Sequence, residues 1–419
     1  MRYAKYKPTG IAWLPEVPEE WAKVRFWNTV RFKKDRNHVT EPMLSVYLDK
    51  GVVYTADTDG KQVHKPPEDL SDYQLVLPGD FVMNNQQCWR GSVGVSCLRG
   101  IISPAYFVFE LSREYYWPRF ADYYLRDRYM VTQYRIASKG VGSIQQILCF
   151  PWFKATYSFL PSIEVQKQMA SYLDEKCRKV DRLVAAKENE VALLKELKQS
   201  MIAEAVTHGV RSKRRLVPSG IPWLPEVPEG WEVKRLKWIL EEIKVLSATG
   251  EELPLSLTAT DGLIPFSEKA NRTMESATYV GAKIVRKGQI VFNRFKARLF
   301  AVAPCTGLVS SDYAVYQVRI EVEKKFLLYL FATPTFRQVM NNQASGIGDG
   351  FSRLYSSELF KLYVPLPPLV EQREIVAHIE VRAAKIDAAV KGLEREVAAL
   401  KEYKQRLIAD VVTGQRKVA

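Results

Sequence analysis

Apolar residues recur in steps of three and four along two long stretches of the chain, and this spacing is typical of the buried face of an α-helix. The first stretch covers 161–208 and the second covers 367–413. Each begins at proline, which a helix tolerates only in its first turn, and neither has a proline further on. The pattern therefore predicts two long helices over these ranges.

The apolar positions of both helices form a heptad seam, which is the pattern of a coiled coil. The seam residues are Val180, Val184, Val191, Leu194, Lys198 and Met201 in the first helix and Ile386, Val390, Leu393, Val397, Leu400, Lys404 and Leu407 in the second. Lys198 and Lys404 interrupt the seam at the same place, and a polar residue there usually fixes the register of pairing. Each helix would be about 70 Å long and needs a partner face to be stable. We expect the two helices to pair with each other rather than each to pack on its own domain.

The segments that precede the long helices contain short apolar runs separated by Gly, Pro, Asn and Asp, as strands and turns do. "GDFVMN" from Gly79 and "GQIVFN" from Gly288 are predicted to be strands, as are "YFVFEL" from Tyr106 and "YAVYQV" from Tyr313. "FADYYLRDRYMVTQYR" and its counterpart "FLLYLFATPTFRQVMNNQ" are predicted to be helical. Each segment is thus predicted to be a domain of α+β class.

The chain repeats itself over its whole length. "GIAWLPEVPEEW" from Gly10 returns as "GIPWLPEVPEGW" from Gly220, and the offset between later matching segments drifts to 206 residues in chain order. Small loop insertions after a tandem duplication produce such a drift, whereas a docking peptide used twice would not align the residues in between. The predicted organisation is a first domain at 1–160, a helix at 161–208, a basic linker at 209–219, a second domain at 220–366 and a helix at 367–413.

The net charge is +14, yet each long helix carries eight basic and eight acidic residues, so the excess lies outside the helices. The excess suggests a polyanionic partner, and the neutral helices favour a role as spacers and partner surfaces. The five cysteines form no CxxC pair, the polar N-terminus lacks the apolar core of a signal peptide, and no apolar run is long enough to cross a membrane. These features predict a cytoplasmic protein with reduced thiols and no membrane association.

The polar loops are where the two domains differ most. Asn, Gln, Arg and Lys are the side chains that contact base edges and phosphates of DNA. We expect DNA contacts from Asn84, Asn85, Gln86, Gln87, Arg90, Lys139, Gln145 and Gln146 in the first domain and from Asn293, Arg294, Lys296, Arg298, Gln343 and Arg353 in the second. Surface loops also diverge when they bind nothing, so an ordinary surface is the alternative. One framework with two sets of polar side chains favours two different half-sites.

The sequence has no motif of a catalytic centre. It lacks the GxxxxGK[ST] phosphate loop, the HExxH zinc motif and the [DNS]PP[YFW] tetrad of amino-methyltransferases. "GVG" from Gly140 and "GIG" from Gly346 do not lie between a strand and a helix, as a dinucleotide or S-adenosylmethionine site requires. We therefore expect no catalytic residue, no metal and no cofactor in this chain.

Over its whole length the layout resembles the specificity (S) subunits of type I restriction–modification systems, the HsdS family. The resemblance is carried by the two repeated openings, by "LPSIEVQ" and "LPPLVEQREI" before the long helices, by the "VGS" and "IGD" turns, and by the helix ends "KQSMIAEAVTHG" and "KQRLIADVVTGQ". The first copy departs from the pattern, because Ser162 and Glu164 stand where the second has Pro368 and Val370. "PLPPLVEQ" followed by a long helix is the most specific of these signals.

The resemblance implies two tandem target-recognition domains, each followed by a long helix, with the two helices forming an antiparallel coiled coil of internal pseudo-two-fold symmetry. Each recognition domain would read one half of a bipartite, asymmetric sequence in double-stranded DNA, and the helices would set the spacer between the halves. The helices would also dock two adenine-N6 methyltransferase subunits, and restriction (translocase) subunits would complete the complex. S-adenosylmethionine, ATP and Mg²⁺ are expected in those partner subunits and not in this chain.

Two other functions are compatible with the residues alone. The chain could be a non-catalytic coiled-coil scaffold whose domains bind proteins and have no DNA sequence specificity. It could also be a stand-alone DNA enzyme with an unfamiliar active site. Sequence-selective binding in the presence of methyltransferase subunits would favour the specificity subunit over both.

Overall fold

The computed structural model describes residues 2–58, 67–140, 146–212, 214–258, 261–269, 278–295, 299–344 and 352–418. The chain divides into two compact units. The first unit comprises Met1–Lys187 and Arg395–Ala419, and the second comprises Glu188–Glu394. Because both divisions fall inside long helices, each unit contains one mixed domain and a part of each helix. The domain bounds at 160 and 366 stay predictions.

The first unit begins with a β-hairpin and ends its domain with the strand that leads into the first long helix. Its strands are β1 (Tyr6–Ile11), β2 (Leu14–Pro18), β3 (Ala22–Arg25), β4 (Val30–Lys33), β5 (Leu44–Tyr47), β6 (Gly51–Tyr54), β7 (Gln74–Val76), β8 (Asp80–Asn84), β9 (Val93–Val95), β10 (Gly100–Ile102), β11 (Tyr106–Leu111), β12 (Ser138–Lys139), β13 (Ile147–Leu148) and β14 (Tyr157–Leu160). Its helices are α1 (Pro118–Leu125), α2 (Arg128–Ile136), α3 (Phe150–Lys154) and the long α4 (Ile163–His208), which continues into the second unit.

The second unit repeats this order of elements, except that its described residues contain no counterpart of the β12–β13 pair. Its strands are β15 (Leu216–Ile221), β16 (Leu224–Pro228), β17 (Glu232–Arg235), β18 (Leu240–Ile243), β19 (Leu255–Thr258), β20 (Gly262–Pro265), β21 (Lys283–Val285), β22 (Ile290–Asn293), β23 (Phe300–Val302), β24 (Gly307–Val309), β25 (Tyr313–Val318) and β26 (Tyr363–Leu366). Its helices are α5 (Leu236–Ile239), α6 (Lys324–Ala332), α7 (Pro334–Asn342), α8 (Ser356–Leu359) and the long α9 (Leu369–Val412), which returns to the first unit.

The sheets of the two units have the same topology. A four-stranded antiparallel sheet has the order β4-β11-β8-β9 in the first unit and β18-β25-β22-β23 in the second. The register also corresponds, since Val108 pairs with Val82 and Lys33 while Val315 pairs with Val291 and Ile243. The predicted α+β class and the tandem repeat are therefore confirmed.

Alternation along the central strands buries both faces of this sheet. On β8, Phe81 and Met83 belong to the large aromatic core beside the helices, whereas Val82 belongs to a smaller cluster with Val46 and Val108. Successive side chains of a strand point to opposite faces, so a central strand in a layered domain must be apolar throughout. This explains why "GDFVMN" and "GQIVFN" are continuous apolar runs and the surrounding loops are not.

Each helical segment predicted within the domains is a pair of helices. The first breaks between α1 and α2, where the carboxylate of Asp127 accepts a hydrogen bond from the Tyr129 N–H (2.9 Å). The second breaks between α6 and α7, where the hydroxyl of Thr333 accepts from the Phe336 N–H (3.4 Å) before Pro334. Both side chains cap the N-terminus of the second helix of the pair. Each segment predicted to be helical is therefore divided in two at a capping residue.

The long helices pair antiparallel within each unit. In the first unit Lys404 reaches Asp181 (2.7 Å), and in the second Lys198 reaches Asp387 (2.7 Å). Further along in the second unit, Lys195 reaches Glu394 (3.0 Å), so residue numbers rise on α4 as they fall on α9. The predicted antiparallel coiled coil is confirmed. The thirteen predicted seam residues are all buried or half-buried, and the two seam lysines reach out to aspartates of the opposite helix.

The repeated opening peptide forms a hairpin that covers the C-terminal end of a long helix. In the second unit α4 is followed by Gly209 (φ +79°), where an added Cβ would lie 3.2 Å from the ring of Trp231. In the first unit Gly414 (φ +75°) lies two residues after the end of α9, and an added Cβ there would lie 3.1 Å from the ring of Trp21 and 2.3 Å from Pro18. A helix that ends in a left-handed residue favours glycine. The peptide, which occurs twice in the chain, thus has the same packing role in both units.

Candidate nucleic-acid interface

The loop after β8 holds five of the residues predicted to contact DNA. The side-chain oxygen of Asn84 accepts a hydrogen bond from the Gln86 N–H (3.0 Å) and so closes the turn that leaves the strand. Asn85 is half-buried, with its side-chain oxygen inaccessible and lacking a hydrogen-bond partner among the described residues. The side chains of these two asparagines are therefore less available to a ligand than the sequence predicted.

Gln86 and Arg90 are the exposed members of this loop. Gln87 is half-buried, and its carbonyl accepts from the N–H groups of Arg90 (2.9 Å) and Ser92 (3.2 Å). The guanidinium of Arg90 lies over the ring of Trp89, 5.6 Å from its centroid. Its donors are therefore held at the surface by an aromatic platform.

A second predicted contact region adjoins this loop. The buried Cys88 lies beside Ser138 at the start of the β12–β13 hairpin, and burial raises the pKa of its thiol to about 11. Lys139 is exposed on β12, opposite Ile147, and Gln146 is half-buried just before β13. Gln145 lies outside the described residues. The fold thus brings the two separate polar regions of the first domain to one surface.

The equivalent loop of the second domain begins in the same way. The side-chain oxygen of Asn293 accepts from the Phe295 N–H (2.9 Å), which is the turn that Asn84 makes in the first domain. Arg294 is largely buried and ion-paired with Glu242 (2.5 Å) on the edge strand β18, which β25 separates from β22. Lys296 and Arg298 lie outside the described residues. Arg294 is thus engaged within the domain before any ligand binds.

The second polar region of this domain also joins the first. The Leu354 N–H donates to the Arg294 carbonyl (3.0 Å), and the guanidinium of Arg353 lies 4.8 Å from the ring centroid of Phe295. Arg353 also lies 3.4 Å from Asp312 and is about two-fifths exposed. Gln343 is exposed just after α7. An arginine stacked on an aromatic ring therefore occurs at this place in both domains, as Arg90 on Trp89 and Arg353 on Phe295.

Several residues of these surfaces were missed by sequence reasoning. Trp89 and Phe295 are the aromatic platforms, and their place next to predicted arginines was the available signal. Glu242 had no such signal, because only the pairing of strands brings β18 near Arg294. Lys283 had none either, since it lies on β21, which pairs with β24 and not with the four-stranded sheet. Burial, together with the charge of Arg294, lowers the pKa of Lys283, whose ammonium donates to the Tyr313 carbonyl (2.5 Å).

The described part of the chain contains no cluster of three or more His, Cys, Asp or Glu side chains arranged to hold a metal ion. Among the same residues, no helix combines the length and apolarity needed to span a bilayer. The predicted contact residues at the two surfaces carry amide, guanidinium and ammonium groups, which bind by hydrogen bonds and charge. This arrangement suits recognition of a polar, anionic partner.

Comparison with known proteins identifies the relatives of this chain. A family model described as the type I restriction modification DNA specificity domain matches residues 228–395. The specificity subunit of the type I restriction enzyme MjaVIII from Methanocaldococcus jannaschii is 20% identical over 425 residues, which cover 96% of this chain and 94% of that protein. The EcoDI specificity subunit from Escherichia coli is 24% identical over 281 residues, which cover 61% of each chain.

A solved structure has the same fold. It comes from work on complex assembly and conformational transition of the type I restriction–modification system, and its chain matches with a TM-score of 0.69 at 16% identity, covering 96% of this chain and 99% of that one. The family model matches the second copy of the repeat, and the MjaVIII relative aligns along both copies. The chain is therefore similar over 96% of its length to a specificity subunit of a type I restriction enzyme, and its residues 228–395 match the model of the type I restriction modification DNA specificity domain.

Proposed function

We propose that this chain is the non-catalytic subunit that supplies DNA sequence specificity to a type I restriction–modification complex. Each recognition domain would read one half of a bipartite, asymmetric site in double-stranded DNA. The observation that carries the proposal is the contrast between an identical strand order in the two units and different polar residues at the same surface. A duplicated framework with two chemically different surfaces suits two different half-sites.

The two surfaces suit DNA for a chemical reason. Amide and guanidinium groups make the bidentate hydrogen bonds that distinguish base pairs in the major groove, and lysines contact phosphates. Gln86 and Arg90 in the first domain and Gln343 and Arg353 in the second are the described residues best exposed for such contacts. Asn84 and Asn293 would support these residues through the turns they close.

The coiled coil would set the distance between the half-sites and dock two adenine-N6 methyltransferase subunits, with restriction subunits joining the complex. S-adenosylmethionine, ATP and Mg²⁺ would be bound by those partner subunits, and the whole would act in the cytoplasm. The balanced charge of the long helices supports this role, since the helices would contact protein rather than DNA.

The proposal is tested by long-read methylation profiling of cells that express the chain with its methyltransferase subunits. We expect one bipartite motif with a fixed spacer. Arg353→Ala should relax one half of the motif by about 1–3 kcal/mol if the arginine pairs with guanine, and Arg90→Ala should relax the other half. Equal damage to both halves by either variant would contradict the assignment of one domain to each half-site.

Gel shifts separate the proposal from the two other functions. In the presence of methyltransferase subunits, the specificity subunit should bind one duplex sequence with an affinity that falls steeply with salt. A protein scaffold would show no sequence preference, and a stand-alone enzyme would modify or cut DNA without added subunits. Arg294→Ala is a useful contrast to Arg353→Ala, because loss of its pair with Glu242 should lower stability as well.

A further inference from the structure

A single buried glutamine joins three elements where the first domain meets its long helix. Gln166 lies in the first turn of α4 and is 1% exposed. Its side-chain oxygen accepts from the Trp117 N–H (2.8 Å), and its side-chain nitrogen donates to the carbonyls of Tyr115 (2.8 Å) and Pro161 (3.0 Å). Trp117 immediately precedes α1, and Pro161 immediately follows β14. The amide therefore links the last strand, a domain helix and the long helix.

The second unit repeats this joint at the position 206 residues later. Gln372 is also 1% exposed in the first turn of α9. Its side-chain oxygen accepts from the Glu323 N–H (2.9 Å), and Glu323 immediately precedes α6. Its side-chain nitrogen donates to the Pro367 carbonyl (2.8 Å), just after β26. The contacted groups are backbone atoms, so the joint is preserved although the neighbouring side chains differ.

An ion pair holds each domain to its helix a second time, eight residues further along. In the first unit Asp174 accepts from Arg119 (2.7 Å) and from the Tyr123 hydroxyl (2.8 Å). In the second unit Lys325 on α6 pairs with Glu380 on α9. Eight residues correspond to about 12 Å along a helix. Two attachments at that separation, together with the apolar side chains that each long helix buries in its domain core, oppose rotation of the domain about its helix. The buried amide contributes fixed hydrogen bonds, whereas the ion pairs are partly open to solvent.

We infer that Gln166 and Gln372 are positioning residues that fix how each recognition domain is oriented on its long helix, and that they thereby make the complex selective for one spacer length. The inference rests on the proposed function. Consecutive base pairs are rotated by about 35° around the DNA axis, since about 10 base pairs complete a turn. A domain free to rotate by that angle and to shift by the rise of about 3.4 Å per base pair would accept a half-site displaced by one base pair, whereas its base contacts would be unchanged.

The test is Gln166→Met, which keeps the length of the side chain and removes all three hydrogen bonds. Gln168→Met is the matched control, because Gln168 is exposed two residues along the same helix. Each variant is expressed with the methyltransferase subunits and profiled by long-read methylation sequencing. For Gln166→Met we expect unchanged half-site sequences, with methylation at sites whose spacer is one base pair longer or shorter rising about tenfold relative to wild type. The control should keep the wild-type spacer, and Gln372→Met should behave as Gln166→Met does.

Uniformly reduced methylation with an unchanged spacer would overturn the inference, because a merely structural residue would act in that way. If Gln166→Met does not fold, Gln372→Met decides the matter, since Gln372 makes two side-chain hydrogen bonds where Gln166 makes three. A relaxed spacer in that variant supports the inference and a strict spacer overturns it. Absence of any bipartite motif with the wild-type chain would instead contradict the proposed function, so the two failures are distinguishable.

Discussion

The two units place different residues beside the same joint. Glu371 precedes Gln372 in the second unit and is 1% exposed, whereas Val165 precedes Gln166 in the first unit and packs against the apolar core. The buried carboxylate of Glu371 is held by Arg214 of the linker, whose Nη1 lies 2.7 and 2.6 Å from its two oxygens. The glutamine, which bonds to backbone atoms, is thus the same residue in both copies. The preceding residue differs between the copies, because in the second unit it contacts an arginine of the linker.

The largest effect is expected from breaking the charge pair found only in the second unit. Arg214→Ala would leave the Glu371 carboxylate buried without its partner, and we expect the free energy of unfolding to fall by about 3 kcal/mol. Glu371→Val, which installs the residue of the first unit, should cost less, because Arg214 is 28% exposed and can reach water. Chemical denaturation of the purified variants measures both values.

The double variant sharpens this prediction. Arg214→Ala combined with Glu371→Val removes both charges, and we expect most of the stability lost in Arg214→Ala to return. If the double variant is as unstable as Arg214→Ala alone, the loss comes from the packing of the arginine stem and not from a stranded charge.

The glycines that end the long helices give the next largest effect. Gly414→Ala imposes a left-handed alanine and brings its Cβ to 2.3 Å from Pro18, so we expect a loss of about 2–3 kcal/mol in the free energy of unfolding. Gly209→Ala should lower the free energy of unfolding by less, since the closest atom to the added Cβ is Oε1 of Glu371, at 3.0 Å. Gly220→Ala is the control for backbone strain alone, with φ +71° and open space around the added carbon, and should cost about 1 kcal/mol. Equal losses at Gly414 and Gly220 would show that the contact with Pro18 relaxes freely.

Sequence periodicity was sufficient for the helices and the repeat, because burial imposes a spacing that each residue must satisfy locally. The predicted range 161–208 contains the observed helix Ile163–His208, and 367–413 contains Leu369–Val412. For Gln166, the sequence showed only that glutamine occurs at the same position in both copies, and it did not predict the hydrogen bonds of the side chain. Its partner Trp117 lies 49 residues away, and no local pattern specifies which backbone N–H a buried amide will meet.

The candidate interface was predictable in location but less so in the role of each residue. Loop composition identified the regions around Arg90 and Arg353, which the fold brings to the surface. The same reasoning could not separate them from Arg294, because its burial depends on Glu242, a residue 52 positions away that strand pairing places beside it. Exposure is a property of the folded domain, and two arginines in similar loops can therefore differ in function.

A third comparison concerns the residue that caps the second domain helix. Asp127 caps α2 and Thr333 caps α7, and burial raises the pKa of the Asp127 carboxyl. Asp127→Ala removes the cap and should cost about 1 kcal/mol. Asp127→Thr, the residue of the second unit, should cost less.

The pH dependence of Asp127→Thr follows from the direction of that shift. A raised pKa means that the folded protein binds the proton more tightly than the unfolded chain does. The Asp127 carboxyl therefore stabilises the fold at a pH below its ordinary pKa of about 3.9. This contribution to the free energy of unfolding is lost as the pH rises through the pKa of the folded state. The cost of Asp127→Thr should therefore be smaller at pH 7 than at pH 4. Thermal unfolding at both values measures it, and a cost that grows with pH would contradict the assignment.

The smallest effect is expected from the ion pairs of the coiled coil, where the two units agree most closely. Lys198 with Asp387 and Lys404 with Asp181 are the same contact 206 residues apart, and in each the aspartate is well exposed. Asp387→Asn and Asp181→Asn should each lower the free energy of unfolding by about 0.5 kcal/mol, with nearly equal losses that shrink in high salt. Glu394→Gln is the control, because it removes an exposed partner of Lys195 outside the seam lysines and should cost no more than either. A loss at one aspartate more than twice that at the other would mean that the register of the two helices is held by one half of the coiled coil.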